Sequence, residues 1–279
     1  MNRSLPPNAI AKFTEGRRAS SCIPMRQEDE SLIAGKSATE PTELVSIYED
    51  TYLKAMFDEM QSTYERVSTI ASFGFNWRWR RQLVELIGLR QGMHVGDLMA
   101  GSGESWTYIL PRIGREGTLV AVDFSSEMIR HARQRKQALQ ARNVAILHED
   151  ALHSSIPPES QDAVVCIYGV KTLSPLHQRG FVSEVRRILK AGGVFGLVEV
   201  SVPDSTLLRL PYMFYLGVIV PLIGKLLLGN PDNYRMLGVY TAKFGNCRNL
   251  TRLFAANGFD AQYKQFFWGC ASAVVGVKR

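Results

Sequence analysis

Paired acids and glycines set out the chemistry this sequence can do. In His94 to Glu104, HVGDLMAGSGE, a short apolar run ends in Asp97 and opens into a turn carrying Gly101 and Gly103. Glycine lets backbone approach a ligand closely or take positive φ, so glycines directly after a strand mark the edge of a ligand site. A second apolar run, Thr118 to Asp123, also ends in an acid. In an α/β unit an acid at that point, about 20 residues past the turn, can hydrogen-bond a ribose diol.

The turn also narrows the kind of nucleoside. A dinucleotide fingerprint asks for a third glycine where Trp106 stands, and tryptophan is too large for the close helix–strand packing that glycine allows. Glu104 would set a carboxylate where a pyrophosphate rests against a helix N-terminus. A ligand with a ribose, an amino group and no phosphate fits these constraints, and S-adenosylmethionine is such a ligand.

The elements that must position these residues read as an α/β alternation. After Asp123, Phe124-Ser125-Ser126-Glu127 opens a basic amphipathic helix. Val144 to Leu147 reads as a third strand, ending at His148-Glu149-Asp150-Ala151, and Asp162 to Tyr168 as a buried parallel fourth. A helix is expected over Gln178 to Lys190, stopped by Ala191-Gly192-Gly193, then a fifth strand over Val194 to Val200. The chain closes with a helix over Arg248 to Asn257 and strands over Asp260 to Trp268 and Ala271 to Val277. His148, Glu149, Asp150 and His153 straddle a strand end and a loop, without the spacing of a metal site.

Ahead of the sheet, Leu44, Ile47, Tyr48, Tyr52, Met56 and Met60 follow a helical period. The run Ser72 to Arg81, SFGFNWRWRR, interleaves tryptophan and arginine. Its favoured reading is a helix with aromatics toward the core and arginines toward water, over a nucleic-acid stacking surface. Leu207 to Leu228 is the most apolar stretch and has the length of a membrane span, but Arg209, Pro211, Pro221 and Lys225 interrupt it. It reads either as a pair of buried or lid helices, or as an apolar wall for a lipid-like ligand that touches a bilayer.

Composition sets the outer bounds. At 279 residues and 46% hydrophobic, the chain has room for one large α/β domain with additions. Basic residues number 33 and acidic 26, a surplus of +7 that favours anionic surfaces without choosing among them. Four cysteines, Cys22, Cys166, Cys247 and Cys270, have no metal or disulfide spacing and read as reduced packing residues. Residues 1–42 have scattered prolines and no apolar period, as a flexible extension does. A mitochondrial presequence is a minor alternative there, because Pro6-Pro7 breaks the amphipathic helix it needs. No cleavable secretory signal is visible, which gives a cytoplasmic expectation.

The motif Asp97-Leu98-Met99-Ala100-Gly101-Ser102-Gly103 resembles the first motif of class I S-adenosylmethionine-dependent methyltransferases, with Met99 crowding a position that is small in many members. Met56 to Val67, the Gly74 and Trp79-Arg80-Arg81 run, and Pro221 to Leu226 with Gly229, Asn230, Tyr234 and Leu237 resemble the ubiquinone/menaquinone-biosynthesis C-methyltransferases more specifically. The resemblance spans roughly residues 50–279 and leaves out the extension. It implies a Rossmann-like, doubly wound sheet, mostly parallel with a C-terminal antiparallel strand. Around that sheet it implies a helical lead-in (43–90) and an apolar helical insertion (about 203–245) within a domain spanning 43–279. It further implies that Asp97, Met99, Gly101, Gly103, Asp123, Phe124, Asp150 and Ala151 bind the cofactor, while Tyr64, Tyr168 and Lys171 act on the acceptor side.

Lys171-Thr172 stands where the family carries an arginine and an asparagine, keeping a charge but losing the guanidinium fork. The expected activity is ring C-methylation of an apolar quinone precursor. Alternatives are N- or O-methylation of another lipid-like acceptor and a non-catalytic scaffold of the same fold. A nucleic-acid substrate is disfavoured, since Ile167-Tyr168-Gly169-Val170 lacks the expected acceptor motif. Peripheral membrane contact and a homodimer are both compatible with the sequence.

Overall fold

The computed structural model describes residues 47–227 and 230–279; the extension assigned to residues 1–42, with Cys22, and Leu228-Gly229 lie outside the described residues. Seven strands form one sheet: β1 (His94–Leu98), β2 (Thr118–Asp123), β3 (Val144–His148), β4 (Gln161–Ile167), β5 (Leu189–Val200), β6 (Phe259–Phe266) and β7 (Ala271–Lys278). Their order is β3-β2-β1-β4-β5-β7-β6. Strands β1 to β5 run parallel, and β7 pairs antiparallel with both β5 and β6. The order reverses between β1 and β4, and in such sheets ligands bind beyond the carboxyl ends at that reversal. This is the class I methyltransferase architecture expected.

Helices α1 (Asp50–Ala71) and α2 (Phe75–Ile87) precede the sheet, and α3 (Trp106–Ile113) and α4 (Ser126–Ala138) follow β1 and β2. Helix α5 (Pro175–Ile188) joins β4 to β5. Ser125 caps α4, its hydroxyl accepting the Met128 N–H at 3.2 Å. Ser174 and Pro175 start α5 as a cap and first-turn proline should.

Helix α5 ends two residues before the expected Lys190. Leu189, fully buried, is already extended and pairs with Gln161. The pairing then jumps to Ala163 opposite Val194, so the Gly192-Gly193 pair sits in an irregularity of β5, not in a helix cap. Burying Leu189 in the sheet outweighs another half-turn of helix.

The apolar stretch is one continuous helical run, contrary to the paired helices expected. Helix α6 (Thr206–Phe214) passes through a π-helical turn, Tyr215–Ile219, into α7 (Val220–Leu226). It is also less buried than expected. Leu216, Val220, Pro221 and Gly224 face inward, while Leu207, Leu210, Phe214, Val218, Leu222 and Leu226 form an exposed stripe at three- and four-residue spacing. Helices α8 (Pro231–Phe244) and α9 (Arg248–Ala256) complete the chain before β6.

Core packing follows these layers. Helix α2 packs on one sheet face through Trp79, Leu83, Val84 and Ile87, and α5 and α9 cover the other through Phe181, Val185 and Phe254. A separate cluster joins Leu53, Met56, Met60 and Val67 of α1 to Leu216, Val220, Tyr234 and Tyr240 of the insertion. Helix α1 and the insertion therefore form a second layer. Cys166, Cys247 and Cys270 are buried free thiols, and burial raises the last two to about 12 and about 11.

Candidate functional site

The site lies where β1 and β4 end side by side. Each is followed by a residue in the left-handed region: Met99 with φ 56° after β1 and Tyr168 with φ 66° after β4. For residues with a Cβ this conformation costs roughly 1–2 kcal/mol each, and such strain gathers where a site over-determines the backbone. Gly169 makes the arrangement fit, since a Cβ there would lie 2.8 Å from both Cβ and Sδ of Met99. Met99 therefore does not block the turn, as its size had suggested; it fills the space that Gly169 leaves.

Beyond Met99 the turn is held from below. Gly101, at φ 57°, donates its N–H to Asp123 Oδ2 at 2.8 Å, and Asp123 Oδ1 accepts the Ser125 N–H at 3.0 Å. The indole of Trp106 lies under Gly103, where a Cβ would come within 2.6 Å of the ring, and its Nε1 donates to Asp97 Oδ2 at 3.0 Å. The two features that the sequence set in opposition, glycine turn and bulky third position, are one device. Trp106 occupies the volume a side chain at position 103 would take and holds Asp97 in place.

Burial pushes the Asp97 carboxyl up to about 7, against the Trp106 hydrogen bond and with help from Glu104 and Asp123. Asp123 is raised to about 6, again mainly by burial and against the Ser125 and Gly101 N–H groups. Asp123 and Glu104 give the cleft an acidic wall suited to a cationic ligand, with Asp97 buried behind it.

The expected cofactor residues divide. Met99, Gly101, Asp123 and Phe124 line a narrow cleft of ≈ 50 Å³ with Glu104 and Met128. Asp97 and Gly103 are buried behind it. Asp150 and Ala151 sit past the end of β3, and neither lines this cleft. Asp150 Oδ1 accepts the Leu152 N–H at 2.8 Å. The cleft fits S-adenosylmethionine by its donor set. An ionised carboxylate offers about four lone-pair sites, and each Asp123 oxygen accepts one backbone N–H, leaving capacity for a diol.

A second, larger cavity of ≈ 390 Å³ adjoins the cleft, walled by apolar and aromatic side chains such as Met56, Met60, Tyr212 and Leu216. Phe57, Tyr64, Arg80, Tyr168 and Thr172 line both spaces. Tyr64 of α1 is half-buried, its hydroxyl raised to about 12 by burial first and then by Glu104. Tyr168 donates its hydroxyl to the Asn76 carbonyl at 3.0 Å, and its pKa is pushed up, chiefly by burial. Lys171 also lines the large cavity, but its ammonium is engaged: Nζ donates to Glu199 Oε2 at 2.9 Å and to the Tyr168 carbonyl at 2.8 Å. Glu199 also accepts the Lys171 N–H, and its pKa stays above the usual carboxylate range because burial outweighs the lysine.

Sequence reasoning missed three residues here. Glu199, fully buried at the end of β5, carries no spacing signal. Asp58 of α1 accepts from Ser125 Oγ and from the Glu127 N–H, docking α1 on the start of α4. Arg80 is only 3% exposed, opposite to the solvent-facing arginine expected, while Trp77 is 48% exposed. The period did hold that signal: Asn76, Trp79, Arg80, Leu83, Val84 and Ile87 fall on one helical face. Arg78 and Arg81 do face water. Among the described residues no group of three or more His, Cys, Asp or Glu is arranged to hold a metal ion.

A sequence model of the ubiE/COQ5 methyltransferase family matches residues 45–278. Among curated proteins, the demethylmenaquinone methyltransferase of Lactiplantibacillus plantarum is 30% identical over 229 residues, covering 81% of this chain and 95% of its own length. That of Geobacillus stearothermophilus is 29% identical over 226 residues, covering 80% and 95%. A solved S-adenosylmethionine-dependent methyltransferase from Aquifex aeolicus shares the fold, with TM-score 0.51 at 17% identity over 72% of this chain and 89% of its own.

Replacing Lys171 by Met leaves Glu199 buried without its partner, so urea unfolding should register a loss of about 3–5 kcal/mol. Adding Glu199→Gln to Lys171→Met should recover most of it; equal losses in the single and double variants would mean the pair is not coupled. The acids predict a pH effect of opposite sign to the usual carboxylate. An unfolded aspartate ionises near 3.9, whereas Asp97 holds its proton to about 7 when folded. The native state thus binds more protons across that window, and stability falls as pH rises through it. The melting temperature of Asp97→Asn relative to the unaltered protein should climb from pH 4.5 to 7 and then level off; a flat difference would contradict the burial argument.

Proposed function

The chain belongs to the ubiE/COQ5 methyltransferase family and is an S-adenosylmethionine-dependent methyltransferase, and from that premise we propose that its acceptor is the reduced ring of an apolar quinone precursor, methylated on carbon. The observation that carries the reading is the ≈ 390 Å³ apolar cavity abutting the cofactor cleft through shared residues. An isoprenoid-bearing ring needs such a wall, and the relatives named demethylmenaquinone methyltransferase support the choice.

In this reading Asp123 receives the ribose hydroxyls, Gly101 and Gly103 let the backbone come close, and Met99 and Phe124 pack against the ligand. Asp97, through Trp106 and the turn, and Glu104 favour its cationic end. Asp150 and Ala151 serve the adenine from the neighbouring strand end. When bound, the cofactor supplies an electrophilic methyl group on a sulfonium. The protein's work is then alignment of an acceptor carbon with that methyl and exclusion of water. Tyr64 and Tyr168 wall the junction of the two spaces, and the Lys171–Glu199 pair fixes the loop that presents Tyr168. The exchange of arginine-asparagine for Lys171-Thr172 favours, as a second reading, another apolar acceptor methylated on nitrogen or oxygen.

The protein works from the cytoplasm at a membrane surface. Phe73 and Phe267 both line the cavity and are 79% and 45% exposed, so its mouth is aromatic. The exposed stripe from Leu207 to Leu226 and the surplus of +7 suit an anionic bilayer that stores the acceptor.

Calorimetry should register saturable S-adenosylmethionine binding that Asp123→Ala weakens at least tenfold. With the cofactor present, a short-chain demethylated 1,4-naphthohydroquinone kept reduced should gain one methyl on carbon by mass spectrometry and NMR. Methylation on oxygen, or only of amine acceptors, would transfer the assignment to the second reading. Co-sedimentation with phosphatidylglycerol vesicles should exceed that with neutral vesicles. It should drop several-fold in Leu210→Glu/Phe214→Glu; indifference to both changes would remove the membrane from the account.

A further inference from the structure

Among the described residues, Arg80 is the one cation at this junction left with unpartnered side-chain nitrogens. It is 3% exposed, yet neither Nε nor Nη1 has a hydrogen-bond partner among the described residues. Leaving a buried charge without hydrogen bonds costs several kcal/mol, so such a group marks a place completed by something else. Its guanidinium stands over the Tyr168 ring, 5.0 Å from the centroid, and borders both the cofactor cleft and the apolar cavity. The groups facing it are Tyr64 and Glu65 of α1, Glu104 of the glycine turn and Tyr168. None of them forms a salt bridge with it among the described residues. Glu65 is instead paired with Arg135, and Glu104 accepts from Ser102. Burial, the largest influence, pulls its pKa down, but these neighbours together raise it above the ordinary value, so it stays charged.

The other cation in the cavity wall, Lys171, is already neutralised by Glu199. Among the described residues the large cavity therefore presents one unspent positive charge, at the point where it meets the narrow cleft. We propose that Arg80 is a catalytic residue that binds the ionised hydroxyl oxygen of the acceptor ring, so the acceptor class is an aromatic ring carrying a hydroxyl next to the carbon that is methylated. This rests on the reading of the acceptor given above and names the group that activates it.

Arg80 lowers the pKa of the acceptor hydroxyl, which releases its proton to water. The phenolate's electron pair is delivered through the adjacent ring carbon. That carbon forms its bond to the methyl carbon as the methyl–sulfur bond breaks, its pair remaining on sulfur as a neutral thioether. The ring carbon then loses its proton, restoring the aromatic phenolate beside Arg80, and the phenolate is reprotonated from water on release. One proton leaves per methyl transferred, and no oxidant or reductant is consumed. A cationic or amine acceptor would meet an unfavourable charge at the same point.

The experiment uses the full chain with Arg80→Met and Arg80→Lys, each checked for melting and for S-adenosylmethionine affinity within about twofold of the unaltered protein. The first readout is the ionisation of 1-naphthol, followed by absorbance with the cofactor product bound. The unaltered protein should lower its pKa by a unit or more, Arg80→Lys by less, and Arg80→Met not at all. The second is kcat on the naphthohydroquinone, which should fall about 10²–10³-fold in Arg80→Met, the loss typical of an oxyanion donor, with its acid limb displaced to higher pH. Equal naphthol ionisation in all three proteins, or no naphthol binding, would overturn the assignment. Arg80-dependent ionisation with no methylation of the hydroquinone would support Arg80 and overturn the quinone-precursor acceptor alone. If Arg80→Met does not fold, Arg80→Gln carries the same comparison.

Discussion

Adjacent parallel strands that both end in left-handed residues leave little room between them, and the site is built within that constraint. Met99 and Tyr168 turn the backbone away from β1 and β4 at the point where strand order reverses. The Met99 side chain fits because Gly169 has none. From that meeting point the glycine turn runs one way, toward Asp123 and the acidic cleft, and the loop of Lys171 runs the other, under the apolar cavity. The strain is held by Ala100 N–H to Val122 and by Tyr168 N–H to Val198, at 3.0 and 2.9 Å.

Charge differs between the two adjoining spaces. Glu104 and Asp123 line the narrow cleft with Asp97 behind it, and burial holds both aspartates well above the usual range. A cationic ligand entering there relieves a cost the folded protein already bears. Around the apolar cavity the balance inverts, with Lys171 paired to Glu199 and Arg80 without a hydrogen-bond partner for Nε and Nη1 among the described residues. Arg135 ties the halves mechanically, donating to the Ser102 carbonyl in the glycine turn and to Glu65 of α1 at 2.9 and 2.8 Å. Helix α1, which lines the cavity, is thus fastened to the glycine turn.

The insertion is apolar on both of its faces. Its inner face closes the cavity with Leu216 and Val220, and its outer face keeps a stripe of large apolar side chains in the open. A helix that is apolar on both faces is expensive to leave in water. The aromatic mouth at Phe73 and Phe267 places the cavity's opening within the same hydrophobic surface.

Much of this was legible in the chain because local pattern carries it. Continuous apolar runs gave the parallel strands, the spacing of Gly101 and Gly103 after Asp97 located the turn, and Asp123 ended the second strand where a ribose acid belongs. These signals are local: a strand's burial on both faces and a glycine's positive φ are set within a few residues. The sequence alone thus determined the fold class, the family resemblance and the cofactor. What only the tertiary structure decided concerns contacts between distant segments. Glu199 finds Lys171 across 28 residues, Gly169 makes space for Met99, and Arg80 is turned inward although two arginines beside it face water. A charged residue's burial depends on which other charges the fold brings near it. That sum over distant neighbours is not written in the spacing of any one segment.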